Sequence, residues 1–465
     1  MAGHAMTSNA AQVAEARKQR LIPCRDRFYN QQGDKGMTTK KGLRWLVITL
    51  VAAATIINYI DRSALAVMWP GIAAELGLDK RDYANIITVF LIGYAIGQSL
   101  FGKIFDALGT RIGFLLSIVV WSVSIGLHFV ARSALSFALF RALLGIGEAG
   151  NWPGATKAIA EWFPVRERAL GQGIFGAGAS VGSIIAPPLV AFLYAYVGWK
   201  TTFILIGALG FIWIVPWLIV YKSGPDSHPW ITADERAYIL GGQKTTQAAA
   251  DEYVPTMGEL LRHRQSWGVI AARFFIDPVW WLFVGWLPLY LNEKFGFDVK
   301  QIGLFGWVPY VGAGIGALAG GWFCGRLLQR GWSVNRARKF VIALGLIVMF
   351  PALLLTTVAA TPLAAVLSIA VILFGFQAAI TNIQTLPSDF FSGRTVGSLA
   401  GVSGTAAVLG VIGCMQLVPV LTAGGNYTLF FVLGAALVPL VYLSIWLGGA
   451  VEPVRPHAVQ VKENP

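Results

Sequence analysis

Apolar runs alternate with short polar breaks along nearly the whole chain. Runs of about 20 residues, enough to cross a ~30 Å hydrocarbon core as a helix, occupy roughly 43–66, 84–105, 112–131, 134–157, 168–193 and 201–221. A polar stretch follows, and then six more runs near 267–292, 302–326, 338–358, 362–386, 396–421 and 426–449. The pattern predicts an all-α integral membrane protein of twelve transmembrane helices in two six-helix bundles. Its parts are a basic tail at 1–42, bundles at 43–221 and 267–449, a linker at 222–266 and a second tail at 450–465.

The linker includes "WITADERAYIL", where Thr232 stands three residues before Glu235, the spacing of a capping box opening a short surface helix. "APPL" at 186–189 puts two prolines in span five, where missing ladder bonds predict a bend. The halves also repeat. "FGKIFDALGTRIG" (101–113) joins spans two and three, and "GGWFCGRLLQRGW" (320–332) joins spans eight and nine at the matching place. Two similar bundles facing each other can hold a site at their interface and open it alternately to either side.

Composition agrees with the pattern: 56% of residues are hydrophobic and 13% charged, against about 25% charged in a soluble domain. The 53 glycines suit helices that approach closely in lipid. With the N-terminus in the cytoplasm, 27 of the 36 Lys and Arg fall on the cytoplasmic side and six outside, which sets both termini on the cytoplasmic side. This asymmetry accounts for the net charge of +13. No basic patch with interleaved aromatics suggests a nucleic-acid partner. The first 40 residues have no apolar run ending in a cleavage site, so they read as a cytoplasmic tail. Cys24, Cys324 and Cys414 and the five histidines are scattered, without disulfide or metal-ligand spacing, and His128 reads as a packing residue. No phosphate loop and no nucleophile with a base is present. No catalytic residue, metal or cofactor is expected, and a monomer in the lipid bilayer is.

Charges within spans need a partner or a water-filled cavity, because each costs roughly 2.5–3.5 kcal/mol at mid-membrane. Six qualify: Asp61 and Arg62 in "NYIDRSALA", Arg141 and Glu148 in "FRALLGIGEAGNWPG", and Arg273 and Asp277 in "ARFFIDPVWW". Arg141 and Glu148 lie two helical turns apart, on one face but about 10 Å distant along the axis. Asp61 and Arg62 point about 100° apart, so each reaches a different group on span four. Asp61 with Arg141 and Arg62 with Glu148 is one economical pairing. These four form either a structural network or a coupling device in which a carboxylate and an anion compete for an arginine. Arg273 and Asp277 have the spacing of an i, i+4 pair, structural or gating on one reading and touching substrate on the other. Asp106 and Arg111, at the membrane edge after span two, are expected to hold helices together in one state. Tyr59, Tyr94, Gln377, Asn382 and Gln384 supply groups able to bond hydroxyls, or to bond one another in helix packing.

Taken together, the twelve spans and "GKIFDALGTRIG", with Gly102, Asp106, Gly109 and Arg111, resemble the major facilitator superfamily. "NYIDR", "FRALLGIGEAGNWPGATKAIAEWFP", "ERALGQGIFGAGASVGSIIAPPLV" and "RFFIDPVWWLFVGWLPLYL" resemble its anion:cation symporters, and among them the bacterial hexuronate transporters, over residues 43–447. The resemblance implies proton-coupled uptake of a sugar-acid anion. It implies that Asp61 and Glu148 are protonatable, that Arg62 and Arg141 serve substrate binding or coupling, and that Tyr59 and Tyr94 line the site. Where related aldonate carriers place a glutamine in span five, this chain has small residues over 177–180. The expected function is therefore import of a hexuronate with protons. Its rivals are another organic anion (an aldonate, an aldarate or an aromatic acid) and a membrane sensor that binds without transporting.

Overall fold

The structure, a computed structural model, describes residues 42–247, 254–297, 305–391, 395–422 and 426–454. Most of the N-terminal tail with Cys24, linker residues 248–253, the start expected for span eight and the tail from 455 lie outside them. Among the described residues the regular elements are helices. The first half holds α1 (Leu43–Leu76), α2 (Lys80–Leu127), α3 (Ala134–Glu148), α4 (Asn151–Trp162) and α5 (Arg168–Val220). The linker carries α6 (Ala233–Gln247) and α7 (Met257–Leu260). The second half holds α8 (Arg264–Phe295), α9 (Val308–Gln329), α10 (Val334–Thr357), α11 (Pro362–Ile383), α12 (Leu386–Phe390), α13 (Val396–Leu421) and α14 (Thr428–Leu447).

Eight helical stretches among the described residues are long and apolar enough to cross a membrane. Two of them contain two spans each. Gly109 breaks α2 with φ 80° and ψ 166°, a region that favours glycine. Phe105 and Phe114, on either side, meet edge to face with centroids 5.2 Å apart, whereas nine residues of straight helix would separate them by about 13 Å. Gly198 does the same in α5, with φ 73°. Gly178 before it packs on Ala52, and Trp213 after it donates to the Leu50 carbonyl at 2.8 Å, so α5 doubles back to meet α1 twice. Span four is divided at Ala149–Gly150 into α3 and α4. With it and α8, which carries Arg273 and Asp277, the count of spans reaches twelve.

The helices depart from expectation at the end of span one. Residue 66 does not end α1, which passes through Pro70 and stops at Gly77, φ 65°. Pro187 and Pro188 lie inside α5, which stays helical past them. A proline removes one ladder bond, and packing by neighbouring helices offsets that loss.

Each half has its own apolar core. Trp121, Trp162, Phe105 and Phe114 are buried in the first, and Phe283, Ile369, Phe430 and Phe431 in the second. The linker helix α6 docks on the first half. Thr232 accepts from the Glu235 N–H at 3.3 Å, as the capping spacing predicts. The Glu235 carboxylate, however, turns away to accept from the backbone N–H groups of Gly42, Leu43 and Arg44 at 2.8, 2.9 and 3.3 Å, capping α1. His128 is fully buried against Phe203, with Nδ1 2.8 Å from the Ser124 carbonyl.

Candidate functional site

Arg44 at the start of α1 binds Glu167, the adjacent Arg168 donates to the Ser388 carbonyl, and the Val454 N–H bonds the Phe390 carbonyl, so the start of α1 and Val454 lie at one end of the molecule. At this terminal-bearing end the halves are tied directly. Asp106 accepts from Lys157 of its own half at 3.0 Å, and from the Gly397 and Ser398 N–H groups at 3.1 and 2.6 Å. It therefore caps α13 across the seam, where its charge also suits the positive end of the helix. Arg111 instead donates to the Leu218 carbonyl at 3.1 Å, inside the first half. A second tie joins Arg168 to Asp389 at 3.7 Å, and Arg338 to the same carboxylate at 2.8 Å. Further along the seam, Ser99 and Thr405 form a third, at 2.7 Å.

Further along the seam lies a cavity of about 530 Å³, a volume that includes space open to solvent. The first half lines it with Tyr59, Arg62, Tyr94, Gln98 and Trp152. The second contributes Arg273, Asp277, Trp280, Trp281, Phe376, Gln377, Ile380, Gln384, Gly404 and Val408. Eight of these fifteen residues, four from each half, carry a hydroxyl, amide or charged group, and tryptophans and a phenylalanine lie among them.

Arg62 is the centre of the first wall. Its Nε donates to Glu148 Oε2 at 2.7 Å, and its Cζ lies 4.6 Å from the Tyr94 ring centre, 5.2 Å from Tyr59 and 5.7 Å from Trp281 of the other half. Glu148 is fully buried behind it. Arg62 Nη2 and Glu148 Oε1 are buried without a hydrogen-bond partner, so the pair is held by one bond and is not fully satisfied. On the opposite wall Arg273 Nη2 donates to Asp277 Oδ2 at 2.6 Å, and its Nε contacts the same carboxylate at 3.1 and 3.3 Å.

Of the residues expected at a site, the fold brings Tyr59, Arg62, Tyr94, Gln377, Arg273 and Asp277 to the cavity, with Glu148 one bond behind. The economical pairing is half realised. Arg62 meets Glu148, but both Asp61 oxygens lack a partner, as do Nε and Nη2 of Arg141, and both residues are buried away from the lining. Asn382 is turned into the helix packing, donating to the Ala378 and Gly320 carbonyls at 3.0 and 3.3 Å. Gln98, Trp152, Trp280 and Trp281 were not singled out by sequence, because an aromatic or amide inside an apolar run reads equally as packing. The small residues of span five have a steric reason. A Cβ on Gly178 would stand 2.8 Å from the Ala52 carbonyl oxygen, and one on Gly182 would stand 2.7 Å from the Tyr59 Cβ, so α5 lies too close to α1 there for a longer side chain.

Comparison with known proteins agrees with this architecture. The Major Facilitator Superfamily profile matches residues 51–415. The chain is 36% identical to the hexuronate transporter of Escherichia coli K12 over 372 residues, 79% of this chain and 85% of that one. It is 35% identical to the galacturonate transporter of Dickeya chrysanthemi over 311 residues, 66% of this chain and 90% of the other. In structure it is similar to the human organic anion transporter MFSD10, with a TM-score of 0.64 at 17% identity, covering 88% of this chain and all of that one.

Proposed function

The chain belongs to the major facilitator superfamily, and on that premise we propose that it imports hexuronate anions such as galacturonate and glucuronate by proton symport. It is a membrane transporter and not an enzyme. The observation that carries the proposal is the Arg62–Glu148 pair, a cation held against an aromatic cavity by a carboxylate that one proton can neutralise. A sugar carboxylate reaching Arg62 competes with Glu148 for the guanidinium, and protonation of Glu148 releases the guanidinium to it. Asp61, the neighbour of Arg62 in the chain, is a second proton acceptor, and Arg141 lies behind it as part of the coupling group.

Tyr59, Tyr94, Gln98, Gln377 and Gln384 offer hydrogen bonds to hydroxyls, and the tryptophans offer faces to the sugar's C–H bonds. The ties at the terminal-bearing end support reading this arrangement as the state closed to the cytoplasm in a bacterial inner membrane, with the protein acting as a monomer and both termini cytoplasmic. Alternating access then consists of breaking those ties and closing the opposite end. Moving one positive charge inward across 100 mV supplies about 2.3 kcal/mol, so a monoanion carried with one proton gains nothing from the potential and one carried with two does.

The test is counterflow and proton-driven uptake of labelled galacturonate on one reconstituted preparation. Glu148→Gln keeps size and hydrogen bonding but cannot release a proton. It should still exchange internal for external galacturonate and fail to accumulate it under an imposed pH difference. A purely structural pair predicts parallel loss of folding yield and both activities, because breaking a buried ion pair costs about 3–5 kcal/mol. Normal proton-driven accumulation by this variant overturns the coupling role.

A further inference from the structure

The cavity presents two guanidinium groups, one from each half, and each lies against a carboxylate. The two pairs are built differently. Arg62 meets Glu148 from another helix through a single bond and leaves Nη2 without a partner. Arg273 meets Asp277 one turn along its own helix, with Nε and Nη2 both directed at one carboxylate. That forked geometry is the stronger arrangement, and it needs no second helix to hold it. Side chains of both residues reach the cavity surface, at 8% and 14% exposure.

We infer that Asp277 determines how many carboxylates the cargo carries: by neutralising Arg273 it leaves Arg62 as the one cation available to an anion, and so selects sugar monoacids over diacids of the same length. This rests on the reading of Arg62 as the carboxylate site. The second end of a bound six-carbon diacid would put a carboxylate against the α8 wall. There it would lose its water and meet an arginine already satisfied and a like charge on Asp277. A monoacid brings only a hydroxyl there, which can donate to the Asp277 oxygens, or an aldehyde, which can accept from the nearby Gln377 and Gln384 amides. Asp277 thus acts through Arg273, as a positioning residue.

The experiment is calorimetric titration of the full-length chain in detergent with galacturonate, galactonate and galactarate, with thermal melting recorded for each variant. Wild type should bind a monoacid more tightly than galactarate. Asp277→Asn removes the charge with little change of shape, and should raise the affinity for galactarate relative to the monoacids by about 10- to 100-fold, the worth of one charge-assisted bond. Arg273→Gln combined with Asp277→Asn makes the wall neutral again and should return the ratio toward that of wild type. Should Asp277→Asn fail to melt cooperatively, Asp277→Ser carries the same change of charge. An unchanged ratio in the folded variant overturns the inference, as does a gain that persists in the double variant, which would reflect space rather than charge. Equal binding of monoacids and galactarate by wild type overturns it too. A wild type that prefers galactonate to galacturonate counts against the hexuronate reading alone, and the ratio is then taken against galactonate. Binding of none of the three overturns both.

Discussion

At Arg62, one guanidinium meets four aromatic rings, of Tyr59, Phe90, Tyr94 and Trp281, and a single carboxylate oxygen while an Nη2 stays unpaired. A group so placed adds contacts with π faces to its ion pair, and its planar fork suits a ligand carboxylate. Arg62→Ala is expected to lose at least about 1.5–3 kcal/mol of binding, enough to push galacturonate below detection by calorimetry. Arg62→Lys should also bind weakly, since a point charge cannot reproduce the fork. Unchanged affinity in either variant removes Arg62 from the site. The residues that sequence could read here were those lipid expels: Arg62, Glu148, Arg273 and Asp277 each needed an explanation inside a span. Charge alone did not tell lining from backing, so Asp61 and Arg141 read like their neighbours although they lie behind the wall. The tryptophans were illegible for the opposite reason, because an apolar run contains many aromatics and only the facing half decides which ones meet a cavity.

Helix ends connect distant parts of this chain. Three successive N–H groups at the start of α1 end on Glu235, about 190 residues away, and Arg44 ties the same carboxylate at 2.7 Å and Glu167 at 2.9 Å. The linker helix is thereby fixed to the first half. Glu235→Ala should lower thermal stability by roughly 0.5–2 kcal/mol, the usual worth of an N-terminal cap. KM for galacturonate should stay within error of wild type, because the cap is remote from the cavity. A change in KM without a change in melting would contradict a purely structural role. The twelve spans were legible because apolar length is a local property. The helix at Thr232 was legible as well, but the target of Glu235 was not, since a capping spacing names a local donor and cannot reveal a competing helix end brought near by folding. The end of α1 was missed because apolar length measures the membrane crossing, whereas the helix runs on through Pro70 to Leu76.

Across the whole molecule, the alternating access proposed above requires two halves with separate cores to come apart at one end, and the terminal-bearing seam is where burial of charge resists this. Arg168, Arg338 and Asp389 are nearly or fully buried, with two guanidiniums sharing one carboxylate. Arg338 also donates to the Val165 carbonyl of the first half at 3.2 Å and contacts Cys324 Sγ at 3.1 Å. In the sequence, Arg168 and Arg338 counted as loop charges, because hydropathy at a span end cannot tell water from a facing helix. Asp389→Asn would leave two buried cations facing a neutral amide, a change typically worth several kcal/mol against the closed seam. Cys324 supplies a native reporter, since its fully buried thiol lies in an apolar cluster with Ala169 of the first half. With Cys24 and Cys414 replaced by serine, N-ethylmaleimide should label Cys324 slowly in the parent and many-fold faster once Asp389 is Asn. Melting recorded alongside separates opening of the seam from unfolding. The coupled expectation is functional: if this seam is the gate, the same substitution should weaken accumulation of galacturonate while leaving counterflow measurable, as a carrier that opens too readily at one end lets its gradient leak. Slow labelling in a folded Asp389→Asn protein would mean that the apolar packing of α5 on α9 holds the seam without the charges.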